Sequence, residues 1–369
     1  MSERQTILFV SNTAWNLANF RRPLIEAFVA RGDKVICAAS PDAHERSLLV
    51  LGAEFEPLAV DAGGTSPIAD GRLLLSLVAF IRRLRPDTVF SFTIKPNIYA
   101  AIAARRCGVR VIPTVSGLGS SFLGGGLTAA ITNRLYRQAL RPLDTVMFQN
   151  GDDRDLFVVR GLVDPSAPVL VRGSGIDLDR FRAPATPPPA PFRFLLIARL
   201  LRDKGLTEYA EAARRLRSEN VDARLQLLGP DGGTNPSAVP MALVERWVAD
   251  GTIDYLGSTD DVRPAIAGAR CIVLPSYREG LPRSLLEGAA MSRPLIATDV
   301  PGCRDLVSDG INGLLCAPRS ADDLARAMNA MLAASDRERA AMGAAGRKLV
   351  EEQYDQRLVA DAYLREAHQ

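Results

Sequence analysis

The sequence of 369 residues predicts an α/β protein made of two doubly wound parallel-sheet domains. Short apolar runs rich in β-branched residues alternate with helix-length segments, which is typical of βαβ units and a parallel sheet. The alternation stops at a segment with five prolines in nine residues and then begins again. A chain of this length also exceeds one ordinary hydrophobic core, so two domains are expected.

The predicted strands of the first half are each followed by a helix-length segment: Thr6–Ser11, Lys34–Ala39, Thr88–Phe92, Val109–Val115 and Thr145–Phe148. Residues Asn16–Ala30 predict an amphipathic helix. The second half repeats the pattern, with strands at Phe192–Ala198, Arg224–Leu228, Thr252–Leu256, Cys271–Leu274 and Pro294–Ala297. We therefore expect a first domain at 1–182, a Pro-rich linker at 183–191, a second domain at 192–352, and a C-terminal helix at 353–369 that crosses back to the first domain. Ligands are expected in the cleft between the domains, beyond the carboxyl ends of the strands.

Composition excludes several classes of protein. The net charge is only +3, which gives no indication of nucleic-acid binding by the whole chain. No apolar run reaches the length of a membrane span, and no signal-peptide core follows the first residues. The five cysteines are scattered without a C-x-x-C pair, so neither a disulfide framework nor a zinc site is indicated. We expect a cytoplasmic protein.

The charge is distributed unevenly within the first half. Eleven basic residues and one acid, Asp87, lie between Arg72 and Arg141. A Gly-rich apolar loop, Gly117–Leu127 with Phe122 and Leu123, interrupts this stretch. The combination favours docking on an anionic membrane surface, with Phe122 and Leu123 entering the headgroup region. A solvated basic face and a nucleic-acid site remain the alternatives.

The strongest motif is the segment 275–289, PSYREGLPRSLLEGA. It follows a predicted buried strand, and Pro282 favours a helix start. The helix N-terminus offers N–H groups to an anion, and Glu279 and Glu287 flank that position. Two carboxylates so placed can bind sugar hydroxyls on one side and a ribose on the other. A capping glutamate followed by a surface glutamate is the alternative.

A second motif, ARLLRDKG at 198–205, follows the first strand of the second half. Arg199 and Lys204 lie at another strand-to-helix turn, where both cations can reach a diphosphate. Lys204 is one of only four lysines in a chain that otherwise uses arginine. A compact ammonium and a guanidinium fork do different work, so its choice is informative.

These motifs together resemble the retaining glycosyltransferases of family 4, and the resemblance covers essentially the whole chain. Glu279 and Glu287 match the family's E-x7-E motif, and Arg199 and Lys204 match its diphosphate-binding pair. The segments GSGID at 173–177 with Phe181, and VSDGING at 307–313, also match. The resemblance implies the GT-B fold, in which two Rossmann-like domains face each other across a cleft.

The resemblance also implies the roles of the donor-site residues. Arg199 and Lys204 neutralise the leaving diphosphate, Glu279 holds donor-sugar hydroxyls, and Glu287 binds the ribose diol. Main-chain groups at Leu256 and Gly257 are expected to frame the base. The distal phosphate is expected to be bound by the start of the helix, at Gly280, Leu281, Pro282, Ser284 and Leu285. The expected donor is a UDP-sugar: a UDP-hexose, a UDP-HexNAc or a UDP-uronic acid.

The first half is similar to the branch that adds sugars to undecaprenyl-diphosphate-linked intermediates of capsules, O-antigens and glycoprotein glycans. The matching segments are SNT at 11–13, NFR at 19–21, TIKPN at 93–97, GLG at 117–119 and QN at 149–150. The resemblance implies a lipid-linked saccharide acceptor and a peripheral place on the inner face of the cell membrane. The expected acceptor-binding residues are Asn12, Lys95, Asn97, Gly117 and Gly119.

One departure from the family concerns histidine. Many members carry a histidine after the fourth strand, whereas the two histidines here, His44 and His368, are elsewhere. Lys95 lies in the corresponding segment, and we expect it to meet the acceptor diphosphate, with a solvent-exposed lysine as the alternative. Retention needs no protein base if the acceptor hydroxyl passes its proton to the leaving phosphate.

No metal ion or other cofactor is expected. Asp152-Asp153 and Asp260-Asp261 could ligate magnesium, but each pair lies at a predicted helix start, where acids favour the helix dipole. The Arg199 and Lys204 pair already supplies positive charge for a diphosphate.

Other functions fit the sequence less well than a transferase. The alternatives are transfer to a soluble acceptor and, much less favoured, a UDP-sugar 2-epimerase, which usually needs several histidines. A dehydrogenase would require G-x-G-x-x-G after the first strand, which the sequence lacks. A nucleic-acid binder would leave the glutamate pair unexplained, so no nucleic acid is expected as a partner.

Overall fold

The computed structural model describes residues 4–61, 66–118, 122, 127–184, 188, 190–219, 221–233 and 235–368. The chain forms two structural units: unit 1 is Met1–Gly175 with Gln356–Gln369, and unit 2 is Ile176–Asp355. Each has a parallel sheet covered by helices, as the sequence predicts. None of the helices in the described ranges combines the length and the apolar composition of a membrane span.

Unit 1 contains a parallel sheet that has seven strands in the described residues, in the order β3-β2-β1-β4-β5-β6-β7. The strands are β1 Thr6–Thr13, β2 Lys34–Ser40, β3 Glu54–Pro57, β4 Thr88–Phe92, β5 Arg110–Val115, β6 Val146–Phe148 and β7 Pro168–Leu170. The helices are α1 Ala14–Phe20, α2 Arg22–Ala30, α3 Glu45–Val50, α4 Pro67–Leu84, α5 Ile94–Arg106, α6 Leu127–Leu140, α7 Gly151–Val159 and the C-terminal α14 Gln356–Ala367, which packs against α2.

Unit 2 contains a parallel sheet with six strands in the described residues, in the order β10-β9-β8-β11-β12-β13. The strands are β8 Phe192–Ile197, β9 Ala223–Leu228, β10 Asp254–Tyr255, β11 Cys271–Leu274, β12 Leu295–Thr298 and β13 Gly313–Cys316. The helices are α8 Leu206–Ser218, α9 Met241–Ala249, α10 Arg263–Gly268, α11 Arg283–Ala290, α12 Ala321–Ala333 and α13 Asp336–Gln353. A single 3-10 turn, Arg202–Lys204, precedes α8.

The central strands are continuously apolar because both faces of each sheet are covered. In β11 all four residues are buried, and alternate side chains enter different cores: Cys271 and Val273 on one face, Ile272 and Leu274 on the other. Central strands of this kind place the loops at their carboxyl ends rigidly, and the motif residues lie in those loops.

Two helices differ from their predicted bounds, and the strands β3, β7 and β13 were not predicted. The helix expected over Asn16–Ala30 is broken at Arg21, because Pro23 in the first turn of α2 cannot donate the N–H that a continuous helix needs. The C-terminal helix expected at 353–369 begins at Gln356, because the preceding helix extends to Gln353 and Tyr354 ends it.

The chain passes from unit 1 to unit 2 at Gly175/Ile176, upstream of the expected boundary at 182. The reason is burial, since Ile176, Leu178 and Phe181 belong to a core of unit 2. The Pro-rich segment therefore lies within unit 2, and its residues 185–187 and 189 are outside the described residues.

Candidate functional site

The two sequence motifs of unit 2 meet through an ion pair. Nζ of Lys204 donates a hydrogen bond of 2.6 Å to Oε1 of Glu279, and both side chains are largely buried. Lys204 ends the turn after β8, and Glu279 lies in the loop after β11, which is the neighbouring strand of the sheet. The structure therefore brings together a cation and a carboxylate that the sequence assigns to a diphosphate and a sugar.

Gly205 allows the Lys204 turn to lie against the second motif. Its φ of +73° is in the left-handed region, and a Cβ there would lie 2.1 Å from the carbonyl oxygen of Pro275. Only glycine fits both the backbone conformation and this close approach. The glycine that follows Lys204 in the sequence is thus required by the geometry of the site.

Further hydrogen bonds join the same two loops. The backbone N–H of Tyr277 donates to the carbonyl of Asp203 at 2.9 Å, and Oγ of Ser276 donates to the same oxygen at 3.1 Å. The hydroxyl of Tyr277 donates to Oε1 of Glu208, in the first turn of α8, at 2.6 Å. Burial and the Glu208 carboxylate raise the pKa of Tyr277, so it remains a neutral donor. The loops that carry Lys204 and Glu279 form one connected structure.

The start of α11 lies directly after Glu279. The helix begins at Arg283, and its N-cap residue Pro282 supplies no side-chain cap. The first N–H groups of a helix have no partner within it, so those of Ser284 and Leu285 can point towards an anion. Gly302 packs against this loop, and a Cβ there would lie 2.6 Å from the carbonyl oxygen of Gly280.

Glu287 lies in α11, is only 7% exposed and accepts a hydrogen bond of 2.8 Å from Nε of Arg283. Burial raises the pKa of Glu287, and the Arg283 charge partly opposes that shift. Burying a carboxylate costs free energy, and one with a single hydrogen-bonded cation retains lone pairs that can accept further hydrogen bonds. Its environment suits the recognition of hydroxyl groups.

Arg199 follows β8 and is exposed, with no side-chain hydrogen bond or ion pair to the residues that the structure describes. One main-chain group of each of Leu256 and Gly257, the residues expected to frame a base, is bonded within unit 2. The N–H of Leu256 donates to the carbonyl of Leu227 at 2.8 Å, and the carbonyl of Gly257 accepts from Gly229 at 2.8 Å. The side chain of Leu256 is 42% exposed, and the framing of a base by these two residues stays a prediction.

The predicted acceptor residues lie at the carboxyl ends of strands in unit 1. Asn12 is the penultimate residue of β1, Lys95 is in the first turn of α5 after β4, and Gly117 follows β5. The side chain of Asn97 is buried, accepts from Oγ of Ser91 and donates to the carbonyl of Thr114, and its acceptor-binding role stays a prediction. Gly119 lies outside the described residues.

Sequence reasoning missed the partners of Lys95. Its Nζ donates to Oδ1 of Asp70 at 2.7 Å, and the hydroxyl of Tyr99 donates to Oδ2 at 2.9 Å. Lys95 is therefore paired and largely buried, unlike the solvent-exposed lysine that was the alternative. The only sequence signal was Asp70 itself, an acid just upstream of the basic stretch.

Thr93 and Arg21 were also missed as candidates. Thr93 has a φ of +73°, which is rare for a β-branched residue, and its Oγ1 is buried without a partner among the described residues. Arg21 is buried with its guanidinium 4.2 Å from the ring centre of Phe92. Both are in the segments that resemble the undecaprenyl branch.

The expected exposure of Phe122 is wrong. Its side chain is buried in unit 1, stacked on Phe157 at a centroid distance of 5.2 Å and edge-on to Tyr136 at 5.7 Å. The glycines around it suggested an open loop, but an aromatic ring gains more by packing than by exposure. Leu123 and residues 119–121 and 124–126 lie outside the described residues.

The aspartate pairs are at helix starts, as predicted. Asp152 and Asp153 are in the first turn of α7, whose N-cap is Asn150. Asp261 precedes α10 and is bonded to Arg263, which lowers the pKa of Asp261 to about 2. In the part of the chain that the structure describes, no three His, Cys, Asp or Glu side chains form a possible metal site.

Family models match both units. Residues 17–175 match the model described as "Glycosyl transferase 4-like domain", and residues 191–334 match "Glycosyl transferases group 1". A Campylobacter jejuni relative, N,N'-diacetylbacillosaminyl-diphospho-undecaprenol alpha-1,3-N-acetylgalactosaminyltransferase, is 26% identical over 97% of this chain and 96% of its own length. The Escherichia coli UDP-Gal:alpha-D-GlcNAc-diphosphoundecaprenol alpha-1,3-galactosyltransferase is 25% identical over 73% and 72%.

Solved structures with the same fold cover nearly the whole chain. A glycosyltransferase from Rickettsia africae has a TM-score of 0.80 at 18% identity, covering 99% of this chain and 98% of its own. Anabaena HepE in complex with UDP and glucose has a TM-score of 0.79 at 15% identity, covering 98% and 99%. At these identities the likeness concerns the fold.

Proposed function

The chain belongs to the family 4 glycosyltransferases with the GT-B fold, and from that premise we propose that it transfers a sugar from a UDP-sugar to a polyprenyl-diphosphate-linked saccharide. The anomeric configuration is retained, and no metal ion takes part. The sugar is a hexose, an N-acetylhexosamine or a uronic acid. The product belongs to the assembly of a surface polysaccharide or a glycan.

The pairing of Lys204 with Glu279 beside the start of α11 is the observation that carries this proposal. When the bond between the anomeric carbon and the phosphate oxygen breaks, negative charge develops on the diphosphate. Lys204, held by Glu279, and the exposed Arg199 supply positive charge there, and the N–H groups at Ser284 and Leu285 add donors. Glu279, held by Lys204, accepts hydrogen bonds from hydroxyls of the donor sugar.

Glu287 serves the nucleoside in this proposal. Its buried carboxylate, paired with Arg283, accepts hydrogen bonds from the two ribose hydroxyls. The exposed side chain of Leu256, just after β10, offers an apolar surface to the base. The donor is thus recognised at both ends while the diphosphate is held between them.

The acceptor is proposed from the relatives' substrates together with unit 1. The two relatives named above act on undecaprenol-diphosphate sugars. The predicted acceptor residues Asn12, Lys95 and Gly117 lie at the carboxyl ends of three adjacent central strands, β1, β4 and β5. Since Lys95 is paired with Asp70, it meets the acceptor diphosphate as part of an ion pair rather than as a lone charge. The acceptor hydroxyl passes its proton to the leaving phosphate, so no histidine is required.

A lipid-linked acceptor requires that the enzyme work at a membrane. We place it on the inner face of the cell membrane, peripherally bound to anionic lipid through the basic stretch between Arg72 and Arg141. That stretch carries eleven basic residues and one acid, which suits an anionic surface.

The test is a transfer assay with a panel of UDP-hexoses, UDP-N-acetylhexosamines and UDP-uronic acids, using short-chain prenyl-diphosphate saccharides as acceptors. Released UDP and the product mass identify the donor, and the NMR coupling of the new anomeric proton gives the configuration. Glu279→Gln is the inactive reference. EDTA is expected to leave the rate unchanged.

Transfer that is equally fast to a free saccharide would assign a soluble acceptor. An inverted linkage, or activity lost in EDTA and restored by magnesium, would overturn the corresponding part of the proposal. Conversion of the UDP-sugar into its 2-epimer without UDP release would replace it altogether.

A further inference from the structure

The outward face of α4 is unusual for a surface helix. Ile68 is 69% exposed and Leu75 is 71% exposed, and Arg72, Ala79 and Arg82 are exposed beside them. These positions are three or four residues apart, so they form one stripe along the helix. An apolar side chain that is exposed alone needs no explanation, but a stripe that combines apolar and basic residues does.

This stripe carries no acid. The only acid of α4 is Asp70, whose carboxylate is engaged inwards by Lys95 and Tyr99. The opposite face of the helix packs Leu73, Leu77 and Ile81 into the core. The stripe itself therefore presents only apolar and positively charged groups, with the exposed Ser76 and the Arg83–Glu56 ion pair beside it.

Neighbouring helices extend the same chemistry. The helix α5 packs against both α4 and α6, and all three cover one core of unit 1. Arg105 and Arg106 are exposed at the end of α5, and Ile131 and Arg134 are exposed on α6. The face thus spreads over three helices of one layer.

We propose that the α4 stripe, Ile68, Arg72, Leu75, Ala79 and Arg82, is the element that docks on anionic lipid, with Ile68 and Leu75 entering the headgroup region. The inference rests on the proposed function, and it replaces the Gly117–Leu127 loop as the docking element because Phe122 is buried. The apolar side chains gain from contact with hydrocarbon, and the arginines between them gain from contact with lipid phosphate. This is the pattern of interfacial helices.

Two other occupants fit this face less well. A second copy of the chain related by a two-fold axis would bring arginines of the stripe against each other, with no acid to neutralise them. A nucleic acid would satisfy Arg72 and Arg82 but would leave Ile68 and Leu75 exposed or against phosphate. An anionic bilayer satisfies both kinds of group at once.

The predicted acceptor residue Lys95 contacts α4 from the side opposite the stripe. Asp70, which binds Lys95, lies in the first turn of α4 and faces inwards. The helix, about 10 Å across, therefore separates Lys95 from a bilayer on the outward face, a distance that the diphosphate and saccharide of a lipid-linked acceptor can cover.

The test compares Ile68→Gln/Leu75→Gln with a matched control, Leu49→Gln/Val50→Gln. Leu49 and Val50 are also exposed, but they lie on α3, which packs on the other core of unit 1. Arg72→Gln/Arg82→Gln tests the charge, with Arg182→Gln/Lys348→Gln in unit 2 as its control. Melting temperature and calorimetric UDP affinity verify that each variant is folded.

Co-sedimentation is measured with vesicles of phosphatidylcholine alone and of an equimolar mixture with phosphatidylglycerol. Wild type and both controls are expected to bind the anionic vesicles at low salt. The arginine variant is expected to bind about 25-fold more weakly, since each of the two basic residues at such a surface contributes about fivefold. The apolar variant is expected to bind several-fold more weakly and to keep the salt dependence.

The docking proposal is overturned if the folded α4 variants bind vesicles like wild type, or if the wild-type protein does not bind them. It is also overturned if the only effect of the α4 substitutions is to dissociate a dimer, as measured by sedimentation velocity. Transfer to a detergent-dispersed acceptor is measured on the same variants. If the α4 variants transfer sugar to this acceptor and bind vesicles like wild type, only the docking proposal is rejected. If the wild-type protein transfers no sugar, the proposed function is rejected.

Discussion

Nζ of Lys204 lies 2.6 Å from Oε1 of Glu279, although 75 residues separate the two in sequence. The pair holds the ammonium in one place before a donor arrives, because a buried carboxylate restricts an otherwise flexible side chain. Preorganised charge of this kind stabilises a leaving group without the cost of rearrangement during the reaction.

Lys204→Ala is expected to lower turnover about a hundredfold or more, because it removes a preorganised donor at the developing charge. The controls are Lys34→Ala and Lys348→Ala, whose lysines form exposed ion pairs with Glu54 and Glu352. UDP release under saturating donor gives the three rates. Similar rates in all three variants would show that the diphosphate assignment of Lys204 is wrong.

Glu287→Gln is expected to weaken UDP binding by on the order of 1.5–3 kcal/mol, because charge-assisted hydrogen bonds to the ribose are lost. Glu26→Gln is the matched control, since Glu26 accepts from Nε of Arg22 over the same i,i+4 spacing at the same 2.8 Å but on the surface. Isothermal calorimetry measures both affinities. A wild-type affinity in Glu287→Gln would reject the ribose assignment.

The pH dependence of donor binding follows from the same carboxylate. Burial raises the pKa of Glu287, so it is protonated at a higher pH than an ordinary glutamate. We expect the affinity for a UDP-sugar, which has no titrating terminal phosphate, to fall as the pH is lowered through that raised pKa. Glu287→Gln should remove this dependence, and a wild-type pH profile in the variant would contradict it.

The contribution of Glu287 to the stability of the fold depends on pH in the opposite sense to its contribution to donor binding. Because the folded-state pKa of Glu287 is above its unfolded value, its contribution to stability is present below the unfolded pKa and lost as the pH rises through the folded one. At neutral pH, Glu287→Gln is therefore expected to leave the melting temperature unchanged or higher. A clear drop in melting temperature would indicate a structural role instead.

The sequence predicts the central strands of both sheets well and the edge strands poorly. The strands β4 and β11 match their predicted bounds because continuous apolar runs leave few alternatives. The missed strands β3, β7 and β13 are all at sheet edges. An edge strand has one neighbour, so it can be short and can contain the glutamates and prolines seen in β3 and β7.

The site shows a similar division. The motif residues of unit 2 could be located because their spacing places them in loops after strands. The contact between Lys204 and Glu279 could not be predicted, since it depends on the packing of Gly205 against Pro275. The interpretation of Phe122 failed because neighbouring glycines describe the backbone and carry no information about where a ring packs.

Gly205→Ala is expected to disable the site because the new Cβ would overlap the Pro275 carbonyl and displace the Lys204 turn. Gly310→Ala is the control, since Gly310 has the same φ of +73° with open space around it. Both variants incur the left-handed cost of about 1–2 kcal/mol, so chemical denaturation should show a larger loss only for Gly205→Ala. Equal losses of stability, with equal turnover, would mean that the close approach is unimportant.

The hydroxyl of Tyr277 is expected to act through the position of Lys204 rather than by touching substrate. It ties the first turn of α8, at Glu208, to the loop that carries Glu279. Tyr277→Phe should cost about 1 kcal/mol of stability and lower kcat about tenfold, with a smaller change in KM for the donor, because small misplacements of a catalytic group are costly.

Tyr363→Phe, which loses the hydrogen bond to Thr114 in unit 1, is the control for stability alone. Since Tyr277 and Glu208 act as one connection, Tyr277→Phe/Glu208→Ala should be no slower than Glu208→Ala. Additive losses in kcat, or a kcat loss of the same size in Tyr363→Phe, would show that the connection does not position Lys204.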